Sequence, residues 1–152
     1  MAVEVGDRAP DFSLRDHTGA TVRLADFAGE RLVIYFYPRA FTPGCTTEAC
    51  DFRDRLPAFQ DAGCRIVGVS PDEPATLARF GEEHGLSFPL LSDPDHSAAA
   101  DYGAWGAKRN YGKEYEGLIR STFVVGPGGV IEHAWRNVRA AGHAGRVEQA
   151  LS

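Results

Sequence analysis

The stretch RLVIYFYPRAFTPGCTTEAC, residues 31–50, decides the fold. After Arg31 its first residues are apolar and rich in β-branched and aromatic side chains. That pattern predicts a strand over 31–38, buried on both faces and stopped by Pro38. A helix start follows at once. Thr42 stands where an N-cap belongs and Pro43 suits the first helical position, so a helix is expected from about 43 to 61, kinked or broken by Pro57. Cys45 then lies in the first turn, near the positive end of the helix dipole, where thiolates are stabilised and react as nucleophiles.

Working outward, residues 11–14 and 21–24 read as a hairpin around a turn at 16–19. Residues 64–70 predict a second buried strand. A helix over 73–84 follows, with Ser70 or Asp72 as its cap and Pro74 in its first turn. A short strand at 88–91 and a short helix at 97–102 come next. The polar, glycine-punctuated segment 103–117 has no assignable period. Residues 120–125 and 130–135 form a hairpin around 127–129, and a last helix spans 143–151, with His143 as its cap. Buried strands alternating with helices imply an α/β sheet with helices on both faces, in one domain over 1–152.

Composition narrows the function. The chain has 152 residues, 43% of them hydrophobic and 24% charged, enough for an ordinary core. A net charge of −5 disfavours a nucleic-acid or polybasic membrane role. No apolar run is long enough to span a bilayer, and the charged N-terminus does not resemble a signal peptide, so a cytoplasmic protein is expected. Three cysteines do not make a secreted disulfide scaffold. There is no Cys-x-x-Cys, and the five histidines are scattered, so a zinc site is disfavoured.

The helix start is not enough to activate Cys45. Moving a thiol from about 8.5 to about 6 takes roughly 3.4 kcal/mol, whereas a helix terminus supplies about 0.3–1. A cation or a charge-assisted hydrogen bond should complete the task. Arg120 is the best candidate, because it opens a buried strand and would be hard to bury without an anion. The alternative is an Arg120 at the sheet end in solvent. Arg39, in an exposed loop, ranks lower. Cys64, at the start of a buried strand, reads as a small core residue, and Cys50 alone is as readily one. Five residues of helix separate Cys45 from Cys50 by about 7.5 Å of rise and roughly 8–9 Å between Cα atoms, beyond disulfide reach. A bond between them would require the first turns to unwind, which Gly44 would ease.

The segment Pro38-Arg-Ala-Phe-Thr42-Pro-Gly-Cys45, with Cys50 five residues on, resembles the peroxiredoxins, specifically the peroxiredoxin Q or bacterioferritin comigratory protein group. GDRAPDFSL, YFYP, SPDEP, YGAWGAK, IRSTFVV and Gly142-His143 extend the likeness over nearly the whole chain. The resemblance implies a thioredoxin-like fold with an N-terminal β-hairpin and an inserted helix and loop. It implies that Cys45 is the peroxidatic cysteine and Cys50 the resolving one, closing an intramolecular disulfide. Arg120 would be the active-site arginine, Thr42 the hydroxyl that contacts peroxide, and Pro38 a shield over the thiolate. Gly44 and Cys45 would offer backbone N–H groups to the substrate, and Glu48 matches an acidic or amide position on the helix. Tyr37 and Trp105 are expected near the pocket. The implied activity is reduction of hydrogen peroxide and organic hydroperoxides with thioredoxin or a glutaredoxin-type dithiol as reductant, no cofactor, and a monomeric enzyme. A peroxide sensor passing its disulfide to a partner is the alternative. A non-catalytic binding or chaperone domain would leave Cys45 dispensable.

Overall fold

The computed structural model describes residues 3–110 and 112–151. Strands β1 (Ser13–Asp16) and β2 (Thr21–Arg23) form the expected hairpin, followed by a 3-10 turn at Leu24–Phe27. Strand β3 (Arg31–Phe36) leads to helix α1 (Pro43–Asp61), then β4 (Cys64–Ser70), α2 (Pro74–His84), β5 (Leu90–Ser92) and α3 (Ser97–Tyr102). Strands β6 (Trp105–Asn110) and β7 (Lys113–Leu118) come next, then β8 (Ser121–Val125), β9 (Ile131–Trp135) and α4 (His143–Leu151). The main sheet has seven strands in the order β2-β1-β5-β4-β3-β8-β9, while β6 and β7 pair with each other alone.

The centre of the sheet is the strand predicted from residues 31–38. It runs parallel to β4 and antiparallel to β8. Its alternate residues feed two cores. Val33, Tyr35 and Tyr37 pack with Phe52 and Phe59 of α1, Leu77 and Phe80 of α2, and Val147 of α4. Leu32, Ile34 and Phe36 face the opposite way, toward Ala98, Ala99 and Tyr102 of α3. Helices therefore cover both faces, which is why the strand reads as a continuous apolar run. Tyr35 lies opposite Gly68 in β4, and a Cβ there would come within 2.8 Å of the Tyr35 ring. Only glycine admits the ring, which stacks 4.6 Å from Phe52.

Four local expectations are corrected. Of a kink or a break at Pro57, the break is ruled out: helix α1 is continuous from Pro43 to Asp61. A mid-helix proline costs about 3 kcal/mol, but Phe52 and Phe59, on either side of it, are fully buried and hold the helix to the sheet. Neither Ser70 nor Asp72 caps α2; its N-cap is Glu73, with no side-chain cap bond. Asp72 instead accepts the Ala40 N–H at 2.7 Å and the Ser70 hydroxyl at 2.8 Å, tying the loop before α1 to the end of β4. His143 does not cap α4; it is fully buried, with Nε2 2.7 Å from the Thr122 hydroxyl. The unassigned segment 103–117 contains the β6–β7 ribbon. No helix among the described residues is long and apolar enough to cross a membrane.

Candidate active site

The backbone between β3 and α1 is held in an unusual path. Phe41 adopts a left-handed conformation with φ 67°, which costs a residue with a Cβ about 1–2 kcal/mol. Two contacts hold it: the Asp72 bond to the Ala40 amide, and the Phe41 ring, edge-on to Phe80 at 5.2 Å. Thr42 then turns extended as the N-cap and Pro43 begins the helix. The predicted side-chain cap is absent. The Thr42 hydroxyl donates to the Arg39 carbonyl at 2.8 Å.

Cys45, 1% exposed, sits in this first turn. The first backbone N–H groups of a helix have no intrahelical acceptor, so the Gly44 and Cys45 amides are free to serve an anion beside the thiol. Arg120, the residue before β8, reaches across to them. Its Nη2 donates to Cys45 Sγ at 3.2 Å and its Nη1 to Glu48 Oε1 at 2.5 Å. The solvent-facing alternative for Arg120 is thereby excluded: its side chain is only 15% exposed. A Cβ on Gly44 would lie 3.2 Å from Arg120 Nη2, so glycine lets the guanidinium close on the helix start. Arg39 is exposed and contributes only its carbonyl.

Glu48, three residues after Cys45 on the same helix face, is 0% exposed rather than solvated. Burial pushes its carboxyl up to about 7, against the opposing pull of the Arg120 guanidinium, and its second oxygen has no hydrogen-bond partner. Burial also works against the Arg120 charge, but Glu48 and Cys45 outweigh it and leave the guanidinium above its ordinary value. The arginine is thus clamped between a thiol and a carboxyl. Pro38 is half-buried at the head of the loop that carries Thr42, and Tyr37 is buried against Tyr35 and Phe80. Trp105 is not in this group; it packs on the other face of the sheet, stacked on His96 at 3.7 Å. Cys50 is half-buried, and all three cysteines are free thiols.

Two buried groups should give opposite pH signatures. Glu48 has a raised folded pKa, so its contribution to stability is complete below about 4.5 and is lost as pH rises through about 7. His143 is depressed from 6.5 to about 4 by burial, with the Arg146 and Arg120 charges adding to it. Its contribution is present above about 6.5 and is lost as pH falls through about 4. The two contributions change with pH in opposite directions, so they oppose each other in the wild type. Glu48→Gln is therefore expected to gain thermal stability relative to wild type as pH rises from 5 to 8. His143→Asn should gain relative to wild type as pH falls from 7 to 4.5. Melting curves of the reduced proteins across that range test both; parallel profiles for wild type and variants would contradict the assignment.

A buried thiol at a helix start, gripped by an arginine at the head of a neighbouring strand on a mixed α/β sheet, is the arrangement of the peroxiredoxin class. Residues 5–134 match the model of the AhpC/TSA family, and the chain belongs to that family. It is 53% identical over 147 residues to a putative peroxiredoxin of Mycobacterium tuberculosis, covering 97% of this chain and 94% of that one. It is 44% identical over 151 residues to the peroxiredoxin Bcp of Bacillus subtilis, covering 99% and 96%. Xanthomonas campestris peroxiredoxin Q superposes with a TM-score of 0.88 at 44% identity, covering 92% of this chain and 89% of that one. The bacterioferritin comigratory protein of the same organism, described with an alkyl peroxide reduction activity, superposes equally well, covering 92% and 89% at 43% identity. The thioredoxin-like fold and the peroxiredoxin Q likeness expected from the sequence both hold.

Proposed function

We propose that this chain is a thiol peroxidase that reduces hydrogen peroxide and organic hydroperoxides with Cys45. It then closes an intramolecular disulfide from Cys45 to Cys50, which thioredoxin or a glutaredoxin-type dithiol reduces. The observation that carries the reading is the 3.2 Å contact from Arg120 to the Cys45 sulfur in the first turn of α1.

The Cys45 thiolate attacks one peroxide oxygen, the O–O bond breaks, and the other oxygen leaves as water or alcohol. The product is a sulfenic acid. Nucleophilicity falls as a thiol becomes more acidic, so the rate must come from stabilising the charge that moves onto the leaving oxygen. Arg120 and the Gly44 and Cys45 amides are the donors. The Thr42 hydroxyl proton is committed to the Arg39 carbonyl, so toward a peroxide that hydroxyl acts as an acceptor, holding the O–H of the substrate. Phe41, 43% exposed beside Thr42, gives the entrance an apolar side suited to the alkyl group of an organic hydroperoxide.

Cys50 lies beyond disulfide reach in the wound helix, so resolution needs α1 to unwind at its start. Both cysteines belong to one chain, and the cycle runs in a monomer in the cytoplasm. Cys50→Ser is expected to form one equivalent of sulfenic acid at the wild-type rate and then fail to turn over with thioredoxin, its reductase and NADPH. Full turnover by this variant would remove Cys50 from the cycle. Slow turnover of the wild type with every dithiol tried would favour a sensor over a peroxidase.

A further inference from the structure

Beyond Cys45 and Arg120, the half-buried Cys50 has its own polar neighbour. Its sulfur lies 3.9 Å from Nδ1 of His84, the last residue of α2. The imidazole is fixed from several sides. Phe80 meets its ring edge-on at 5.2 Å, and the Phe41 ring lies tilted to it at 6.4 Å. The His84 carbonyl accepts Arg53 Nη1 at 2.7 Å, which ties the end of α2 to α1 one turn beyond Cys50. Gly85, left-handed at φ 63°, ends the helix there, so the imidazole stands on the last turn of α2. Beside the pair along the chain, α1 carries Asp51, Arg53 and Asp54, the last two bound to each other at 2.9 Å, and α2 carries the exposed Glu82 and Glu83. Phe41 and Phe80 bring none.

We infer that His84 is a catalytic residue of the resolving step, the base that takes the proton of Cys50. The proposal rests on the reading that Cys50 resolves the Cys45 sulfenic acid. In the tautomer protonated on Nε2, His84 Nδ1 accepts the Cys50 proton while α1 is still wound. The Cys50 thiolate then attacks the Cys45 sulfur as the helix start opens. The S–S bond forms, the S–O bond breaks, and the departing hydroxide takes up a proton equivalent to the one held by His84, leaving as water. The two-electron oxidation introduced by peroxide is conserved in the disulfide. The placement also suits the return reaction, in which a dithiol attacks the disulfide and Cys50 needs its proton back.

An ordinary cysteine thiol is about 3% ionised at pH 7, so a base that ionises it fully can accelerate its attack by at most about 30-fold. The experiment mixes reduced protein with one equivalent of hydrogen peroxide, quenches at intervals, and separates sulfenic acid, trapped by dimedone, from disulfide by mass spectrometry. In His84→Gln and His84→Asn, sulfenic acid should form at the wild-type rate while disulfide closure slows about 10- to 30-fold. The closure rate of both variants should climb about ninefold from pH 6.5 to 7.5 and about fivefold from 7.5 to 8.5, where that of the wild type changes less. Closure within twofold of wild type would overturn the assignment, as would equal slowing of both steps, which marks a structural role. A wild-type protein that closes no Cys45–Cys50 disulfide would overturn the underlying reading instead, and that result is visible before any variant is made.

Discussion

Replacing Cys45 by serine is expected to abolish hydroperoxide consumption. No other thiol in the chain can take its place. Cys64 opens strand β4 and not a helix, and burial raises its thiol above the ordinary value, only partly offset by the nearby Arg31 charge. Cys50 lies near His84, not the Arg120 guanidinium. A serine hydroxyl at position 45 would keep the volume and the helix start, so the fold should persist while the nucleophile is lost. Peroxide loss followed with the thioredoxin couple should fall to the uncatalysed background in a variant whose circular dichroism matches wild type. Retained turnover would mean that the chemistry lies elsewhere.

The second large effect is expected at Arg120. Alanine there removes the hydrogen bond to the Cys45 sulfur and the charge facing the leaving oxygen. Loss of one such preorganised donor costs about 10²–10³-fold in rate. Breaking a buried ion pair ordinarily destabilises by about 3–5 kcal/mol, because one charge is left alone. Here the cost should be smaller, because Glu48 with its carboxyl already near 7 can become neutral by binding a proton. Arg120→Ala should therefore fold, yet react with peroxide at least about 100-fold more slowly in a single turnover. Arg120→Lys should recover little, since one ammonium cannot bridge a thiol and a carboxyl as the two-pronged guanidinium does. Unchanged single-turnover kinetics would remove Arg120 from the site.

The elements that position Cys45 could be read from local sequence because their signals are local. The apolar run of β3, Thr42 and Pro43 at the head of α1, and the bounds of α3 and α4 all depend on neighbours within a few residues. Arg120 was legible for another reason: a cation at the head of an apolar strand needs an anion, whatever that anion is. The failures share a dependence on distant partners. His143 follows a glycine and reads as a cap, but its partner Thr122 is brought to it by β8. Strand β7 of the ribbon exposes Lys113 to Glu116 one after another, so no period-two apolar face marks it. Pro57 marks a break that packing of Phe52 and Phe59 overrides. Glu48 had a usable signal, since its spacing of three residues from Cys45 puts both on one helix face, although its burial depends on Arg120. His84 had none, because nothing along the chain links it to Cys50 on another helix.

The proposed cycle requires α1 to occupy two states, one wound with Cys45 against Arg120, the other open with Cys45 bonded to Cys50. Trypsin releases residues 40–53, which carry both cysteines, and residues 56–65, which carry Cys64. The most direct test treats reduced protein with one equivalent of hydrogen peroxide, blocks free thiols, digests without reduction and weighs the fragments. The expected result is a fragment 40–53 lighter by two hydrogens and closed to the thiol reagent, with 56–65 fully labelled. A fragment 40–53 joined to 56–65, or to a second copy of itself, would contradict the account.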